Sequence, residues 1–244
     1  MSSAFLPCAN LRCAREKISP ISFAAKFSNY MNTKATNFIL LGSIILAVAL
    51  CIFVYPWLPD EIVAHWNASG EADGSMPKFW GLFLLPVIMA GLFVLYVLIP
   101  KIDPLRANIE SFRKHYNLFW IFMSVFFLYI LCLVIAWNFG YAFNFAAAII
   151  LAVAGLFFVL GGILEKSKRN WFFGIRTPWT LSSDVVWDKT HALGGRLFKV
   201  AAVVSLAGIF FPGEAFVIFS IVPLLAAAGI SAVYSYVIYK KQPH

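Results

Sequence analysis

Six long apolar runs constrain this chain more than any other feature of its sequence. They lie at about 37–57, 80–99, 117–137, 143–164, 194–211 and 215–239. Each approaches the roughly 20 residues that a helix needs to cross about 30 Å of hydrocarbon. A bilayer core offers the backbone no water, so each run must satisfy its own hydrogen bonds as a helix. The alternating pattern of a transmembrane barrel is absent. Composition agrees, with 61% hydrophobic and 12% charged residues, against about 45–50% and about 25% in soluble domains. The expected fold is an all-α integral membrane protein with six transmembrane helices, multi-pass in the cell (plasma) membrane.

The fifth run is the weakest. Its uninterrupted part, Leu197 to Phe211, would rise only about 22 Å at 1.5 Å per residue. It spans if the helix starts near Ala192 and the heads of Arg196 and Lys199 extend to the interface.

Basic residues set the expected orientation. Five Lys and Arg precede the first run, four lie at 100–116, six at 165–196 and two in the C-terminal tail. The intervening loops, 58–79, 138–142 and 212–214, carry only Lys78. The positive-inside rule therefore places both termini in the cytoplasm. The net charge of +8 then reflects topology and anionic membrane lipids, and direct nucleic-acid binding is not expected. Trp57, Trp80, Trp120 and Trp137 fall near span ends, where indoles favour the headgroup layer.

Residues 1–36 read as a disordered cytoplasmic tail, with Met31 before "NTKATN" as an alternative start. Cys8 and Cys13 lie in this tail, Cys51 and Cys132 within spans, so no disulfide framework is expected. The first apolar block is too long for a cleaved signal peptide, and Leu50 before Cys51 argues against lipidation. Residues 37–100 form two spans with an outer loop, and 101–244 form a four-span region whose cytoplasmic fourth loop is 165–195.

The expected spans carry no Asp, Glu, His or Arg in their interior, which argues against an ion-coupled transporter or proton pump. Pro86 and Pro223 interrupt two of them. Such breaks can expose carbonyls to a solute or be tolerated kinks. Small residues at Ala146–Ala148, Ala152, Ala154 and Gly155, and again at Ala226–Gly229, Ser231 and Ala232, suit close helix packing.

Chemistry concentrates in two loops. The outer one, "YPWLPDEIVAHWNASGEADGSMPKFW", is rich in turn formers and is expected to fold as a hairpin-like cap. His65, with Asp60, Glu61, Glu71 and Asp73, could chelate a cation, although a solvated acidic loop explains them without a metal. The inner stretch, "NWFFGIRTPWTLSSDVVWDKTHALGG", presents Arg176 between Gly174 and Pro178. Phe172, Phe173 and Trp179 put that turn at the interface. The guanidinium there needs an acceptor: a lipid phosphate, a carboxylate or helix carbonyls. Ser182 or Ser183 is a plausible N-cap. In the helix that follows, Asp184, Asp188 and His191 share one face, either as a metal or acid–base trio or as a solvated face pairing with Arg176 and Lys189.

These residues resemble the signature of the SdpI family of bacterial and archaeal membrane proteins. Asn170, Gly174, Ile175, Arg176, Thr177, Pro178, Trp179, Thr180, Leu181, Trp187 and His191 fall in the family's order. The outer loop is similar to the domain of unknown function that often precedes it, through Pro59, His65, Asn67, Gly70 and Asp73. Gly161–Gly162, Glu165 and Arg169 depart from the family pattern just before the signature. The resemblance implies a non-enzymatic immunity protein that meets a secreted peptide toxin outside and captures a cytoplasmic regulator inside, without cofactor or metal. Asn170, Gly174, Arg176, Thr177, Pro178, Trp179, Thr180, Trp187, Asp188 and His191 are the expected partner-binding or signalling residues. A small permease or exporter is the alternative, followed by a metal-dependent membrane enzyme.

Overall fold

The computed structural model describes residues 20–67, 69–141, 143–211 and 213–242, with side chains from Thr33 onward. Cys8, Cys13 and the first part of the expected disordered tail lie outside the described residues. The long helices are α1 (Pro20–Val54), α2 (Lys78–Ile102), α4 (Arg113–Asn138), α5 (Phe145–Leu164), α7 (Asp184–Ser205) and α8 (Gly213–Lys240). Between them lie the strands β1 (Glu61–Trp66) and β2 (Ala72–Pro77) and the short helices α3 (Arg106–Ser111) and α6 (Pro178–Ser182). Among the described residues, six helices are long and apolar enough to cross a membrane. Large apolar side chains such as Phe38, Ile45, Val200 and Phe210 stand exposed along them, as lipid-facing surface does.

Two spanning helices start earlier than their apolar runs. Helix α1 extends back to Pro20, into the stretch read as an irregular tail. Proline is well accommodated in the first turn, and no later Gly or Pro interrupts the stretch, so helix propagation from the span costs little. Helix α7 begins at Asp184, not near Ala192, and continues as a 3₁₀ turn over Leu206–Phe210. The fifth span therefore has ample length. The Nζ of Lys199 meets Glu165 Oε1 at 2.7 Å. Pro86 and Pro223 sit inside helices that continue past them, as tolerated interruptions.

Helix α7 is the centre of the C-terminal half, packed against α5 and α8. It approaches α5 where both helices carry glycine. A Cβ added at either Gly161 or Gly195 would lie 2.5 Å from the other's carbonyl oxygen, so side chains at these positions would force the helices apart. On the α8 side, a Cβ at Gly194 would meet Ser231 Oγ at 3.1 Å. In the N-terminal half, Ser43 of α1 and Ser124 of α4 share a hydrogen bond of 2.5 Å.

The 55–80 loop is a β-hairpin, as its turn residues predict. Strands β1 and β2 pair antiparallel from Glu61↔Pro77 to Trp66↔Ala72, with irregularities on either side of His65. The hairpin is fastened to the bundle. Val63 exchanges two hydrogen bonds with the Asn138 side chain (2.8 and 3.0 Å), Trp66 stacks on Phe145 with centroids 3.5 Å apart, and Ile62 is fully buried. The other end of the bundle gathers α3, α6, the ends of α1 and α8, and the segment 165–183. Apolar cores fill both ends, one around Leu58, Ile62, Leu82 and Phe145, the other around Tyr116, Trp120, Phe173 and Phe198.

Candidate functional site

The signature segment folds as a self-bracing loop between α5 and α7. Asn170 is fully buried, and its short amide organises the first turn. Its Oδ1 accepts from the N–H groups of Phe172 (3.0 Å) and Phe173 (2.6 Å). Its Nδ2 donates to the carbonyls of Lys168 and Phe173, both at 2.9 Å. Such side-chain bonds replace the ladder that an irregular segment lacks.

Gly174 follows with φ of +115°, a conformation that glycine adopts without steric cost. The site also has no room for a side chain, because a Cβ there would collide with His191 Nε2. The turn directs the Ile175 N–H to His191 Nε2 at 2.9 Å. The opposite ring nitrogen, Nδ1, lies 2.8 Å from the Trp187 carbonyl. One nitrogen accepts from an amide and the other donates to a carbonyl, which defines the neutral Nδ1–H tautomer. Trp187 stacks on this imidazole with centroids 3.9 Å apart and donates its indole N–H to Ser167 O at 3.2 Å.

Thr177 and Thr180 form a capping box that starts α6, with Pro178 in its first turn. Thr180 Oγ1 also donates to Ile175 O at 2.8 Å, and Thr177 Oγ1 meets Ser235 Oγ of α8 at 2.9 Å. Trp179 packs on Tyr236. Ser183, one of the two serines proposed as caps, accepts from Val186 N at the start of α7.

The face expected to join Asp184, Asp188 and His191 does not assemble. His191 is buried beneath the loop, whereas both carboxylates are exposed and paired with cations. Arg169 Nε meets Asp184 Oδ1 at 2.7 Å, and Lys168 Nζ meets Asp188 Oδ2 at 3.1 Å. The helical spacing is as expected, with i+7 only about 20° around the axis from i, but His191 lies about two turns further along α7, where Gly174 and Ile175 of the loop cover it. Among the described residues, no group of three or more His, Cys, Asp or Glu comes together.

Arg176 differs from the rest of the motif. Its side chain is exposed, and NH1 donates to the Trp171 carbonyl at 2.6 Å. No carboxylate among the described residues pairs with it. Its partner is thus a backbone carbonyl of the preceding turn, not a helix end. Arg176 also stands at the edge of an apolar cavity of about 500 Å³, walled by α2, α4, α5 and α7 and roofed by Phe172–Ile175.

Asp103 was not among the sequence candidates. It is 2% exposed, accepts from Leu105 N through Oδ1 (2.6 Å) and from Trp171 N through Oδ2 (2.9 Å), and so ties the signature loop to the α2–α3 connection. Its only local sign is the Asp103–Pro104 turn dipeptide; the partner lies 68 residues away. Asn108 adds a second tie, donating to Arg169 O at 2.7 Å.

In the hairpin, the residues singled out play different parts. Asn67 Oδ1 accepts from Ser69 N and Glu71 N, and Gly70 has φ of +81°. Gly70 is buried against the start of α5, where a Cβ would lie 2.7 Å from Asn144 Oδ1. His65 Nδ1 and Asp73 Oδ1 are 2.5 Å apart in the open, and Pro59 is exposed at the hairpin's base. A second cavity, of about 440 Å³, lies beneath this hairpin among α2, α4, α5 and α8.

Residues 166–235 match the SdpI/YfhL protein family, and residues 42–90 match a domain of unknown function (DUF1648). The chain is 29% identical over 209 residues to the immunity protein SdpI of Bacillus subtilis (strain 168), covering 84% of this chain and 96% of that one. It is also 35% identical over 51 residues to the uncharacterized membrane protein YbgB of the same organism, covering 21% of this chain and 56% of that one. No solved structure gives a significant match. Six apolar helices, the braced loop at 166–191 and the family match at 166–235 together make this chain a multi-pass membrane protein that carries the SdpI/YfhL family region.

Proposed function

We propose that this chain is a non-enzymatic immunity protein of the plasma membrane, protecting its cell from a secreted membrane-active peptide. The observation that carries this reading is the similarity to the immunity protein SdpI, which runs along nearly all of that protein. The arrangement of the signature supports it. Asn170, Gly174, Thr180, Trp187 and His191 are committed to holding the loop, and Arg176 remains exposed on the rigid platform they form. Recognition surfaces gain when the contact group sits on a preorganised frame. Capture of a cytoplasmic regulator would use the same face, where Lys168, Arg169, Asp184 and Asp188 surround the loop. The hairpin at the opposite end would meet the toxin.

A survival assay tests the proposal. Cells sensitive to a secreted killing peptide express either this chain or Arg176→Ala at matched membrane levels. Protection by the first and loss of protection by the second is expected. Equal protection by both would remove the signature loop from the mechanism. Protection by neither, across a panel of such peptides and with correct insertion, would overturn the immunity reading.

A further inference from the structure

The cavity beside Arg176 has the composition of a lipid site and not of a solute pocket. Its walls are Leu95 and Ile99 of α2, Phe119 and Trp120 of α4, Leu160 and Leu164 of α5, and Phe198 of α7. Its volume of about 500 Å³ falls within the roughly 300–1,000 Å³ usual for small-molecule sites. The wall residues of α2, α4 and α5 lie within about two turns of the helix ends that carry the basic segments, so the cavity occupies the leaflet half next to those ends. Arg176 is at its rim.

One polar group at the rim has incomplete partners. Arg176 gives NH1 to a neutral carbonyl, whereas the neighbouring Arg169 and Lys168 each hold a carboxylate. Its remaining donors suit a phosphate fork.

We propose that this cavity binds one anionic phospholipid, with an acyl chain between α2, α4, α5 and α7 and its phosphate on Arg176. Charge complementarity selects the occupant: the rim is cationic, the walls are apolar, and no carboxylate pairs with Arg176 among the described residues. The bound lipid would extend the floor of the signature loop, since Phe172, Phe173, Gly174 and Ile175 also line the space. This inference stands independently of the immunity reading.

Native mass spectrometry of the full chain in mild detergent tests it, with phosphatidylglycerol, phosphatidylcholine and inorganic phosphate as separate probes. The expected result is one retained phosphatidylglycerol per chain, with phosphatidylcholine at least about tenfold weaker, a difference of roughly 1.4 kcal/mol. Excess inorganic phosphate should leave the lipid bound, because the apolar walls supply much of the affinity. Arg176→Ala should remove the preference between the two lipids while the circular dichroism spectrum stays that of the parent. Leu160→Trp, which fills the cavity, should abolish retention of both. Equal retention of the two lipids by the parent chain, displacement by phosphate, or unchanged selectivity in Arg176→Ala would overturn the proposal. Unchanged retention in a folded Leu160→Trp protein would do the same.

Discussion

Ile175 donates its backbone N–H to the buried imidazole of His191 at 2.9 Å, across 16 residues of chain. This bond joins the signature turn to helix α7 and determines which ring nitrogen of His191 carries the proton. His191→Ala leaves the amide without an acceptor, a cost of about 1–3 kcal/mol. His191→Gln retains an acceptor and should recover part of the loss. Thermal melting in detergent, with limited proteolysis at 170–183, measures both. A His191→Ala protein as stable and as protected as the parent would show that the loop is held without this bond.

Gly174 should tolerate substitution less well than any exposed position of the loop. Its φ of +115° is strained for other residues by about 1–3 kcal/mol, and any Cβ collides with His191 Nε2. Gly174→Ala is expected to expose the loop to protease while leaving membrane insertion unchanged. Normal protease protection would mean that the turn relaxes freely.

The Glu165–Lys199 pair joins α5 to α7 beside the Gly161–Gly195 approach. The two side chains are 26% and 30% exposed, so a single break should cost less than the roughly 3–5 kcal/mol of a fully buried pair; about 1–2 kcal/mol is expected. Lys199→Glu should destabilise, and Glu165→Lys with Lys199→Glu should restore part of the loss. A double-mutant cycle on melting free energies gives the coupling. Zero coupling would assign both residues to the lipid interface and not to each other.

His65 and Asp73 provide a contrast. Their side chains are 73% and 43% exposed, and exposed pairs contribute about 0–1 kcal/mol. His65→Ala should leave the melting temperature nearly unchanged. Asn67→Ala should cost more, since it removes the acceptor for two hairpin amides. The reverse order would make the exposed pair the structural element.

Orientation can be read by labelling. In a chain with its four cysteines replaced, Ser69→Cys on the hairpin should react with a membrane-impermeant maleimide in intact cells. Lys189→Cys, exposed on α7, should react only after permeabilisation. The opposite pattern would invert the topology that the basic residues predict.

The amino-acid sequence by itself determined the solvent, the six helices, the hairpin and the location of the signature. Hydrocarbon leaves an apolar run of about 20 residues one way to satisfy its backbone, and the turn residues at Asn67, Gly70, Gly174 and Pro178 act locally. Ser183 could be read as a cap for the same reason, because its acceptor lies within one turn. The tertiary structure decided which residues face inward. Asp184, Asp188 and His191 share a spacing that suits a site, yet the packing of the loop on α7 buries the histidine and leaves the carboxylates outside. It also decided the roles of Asp103, Glu165 and Trp120, whose relevant neighbours come from other helices and loops. Secondary structure responds to neighbours a few residues away, whereas burial and pairing depend on where distant segments meet, and no local period records that.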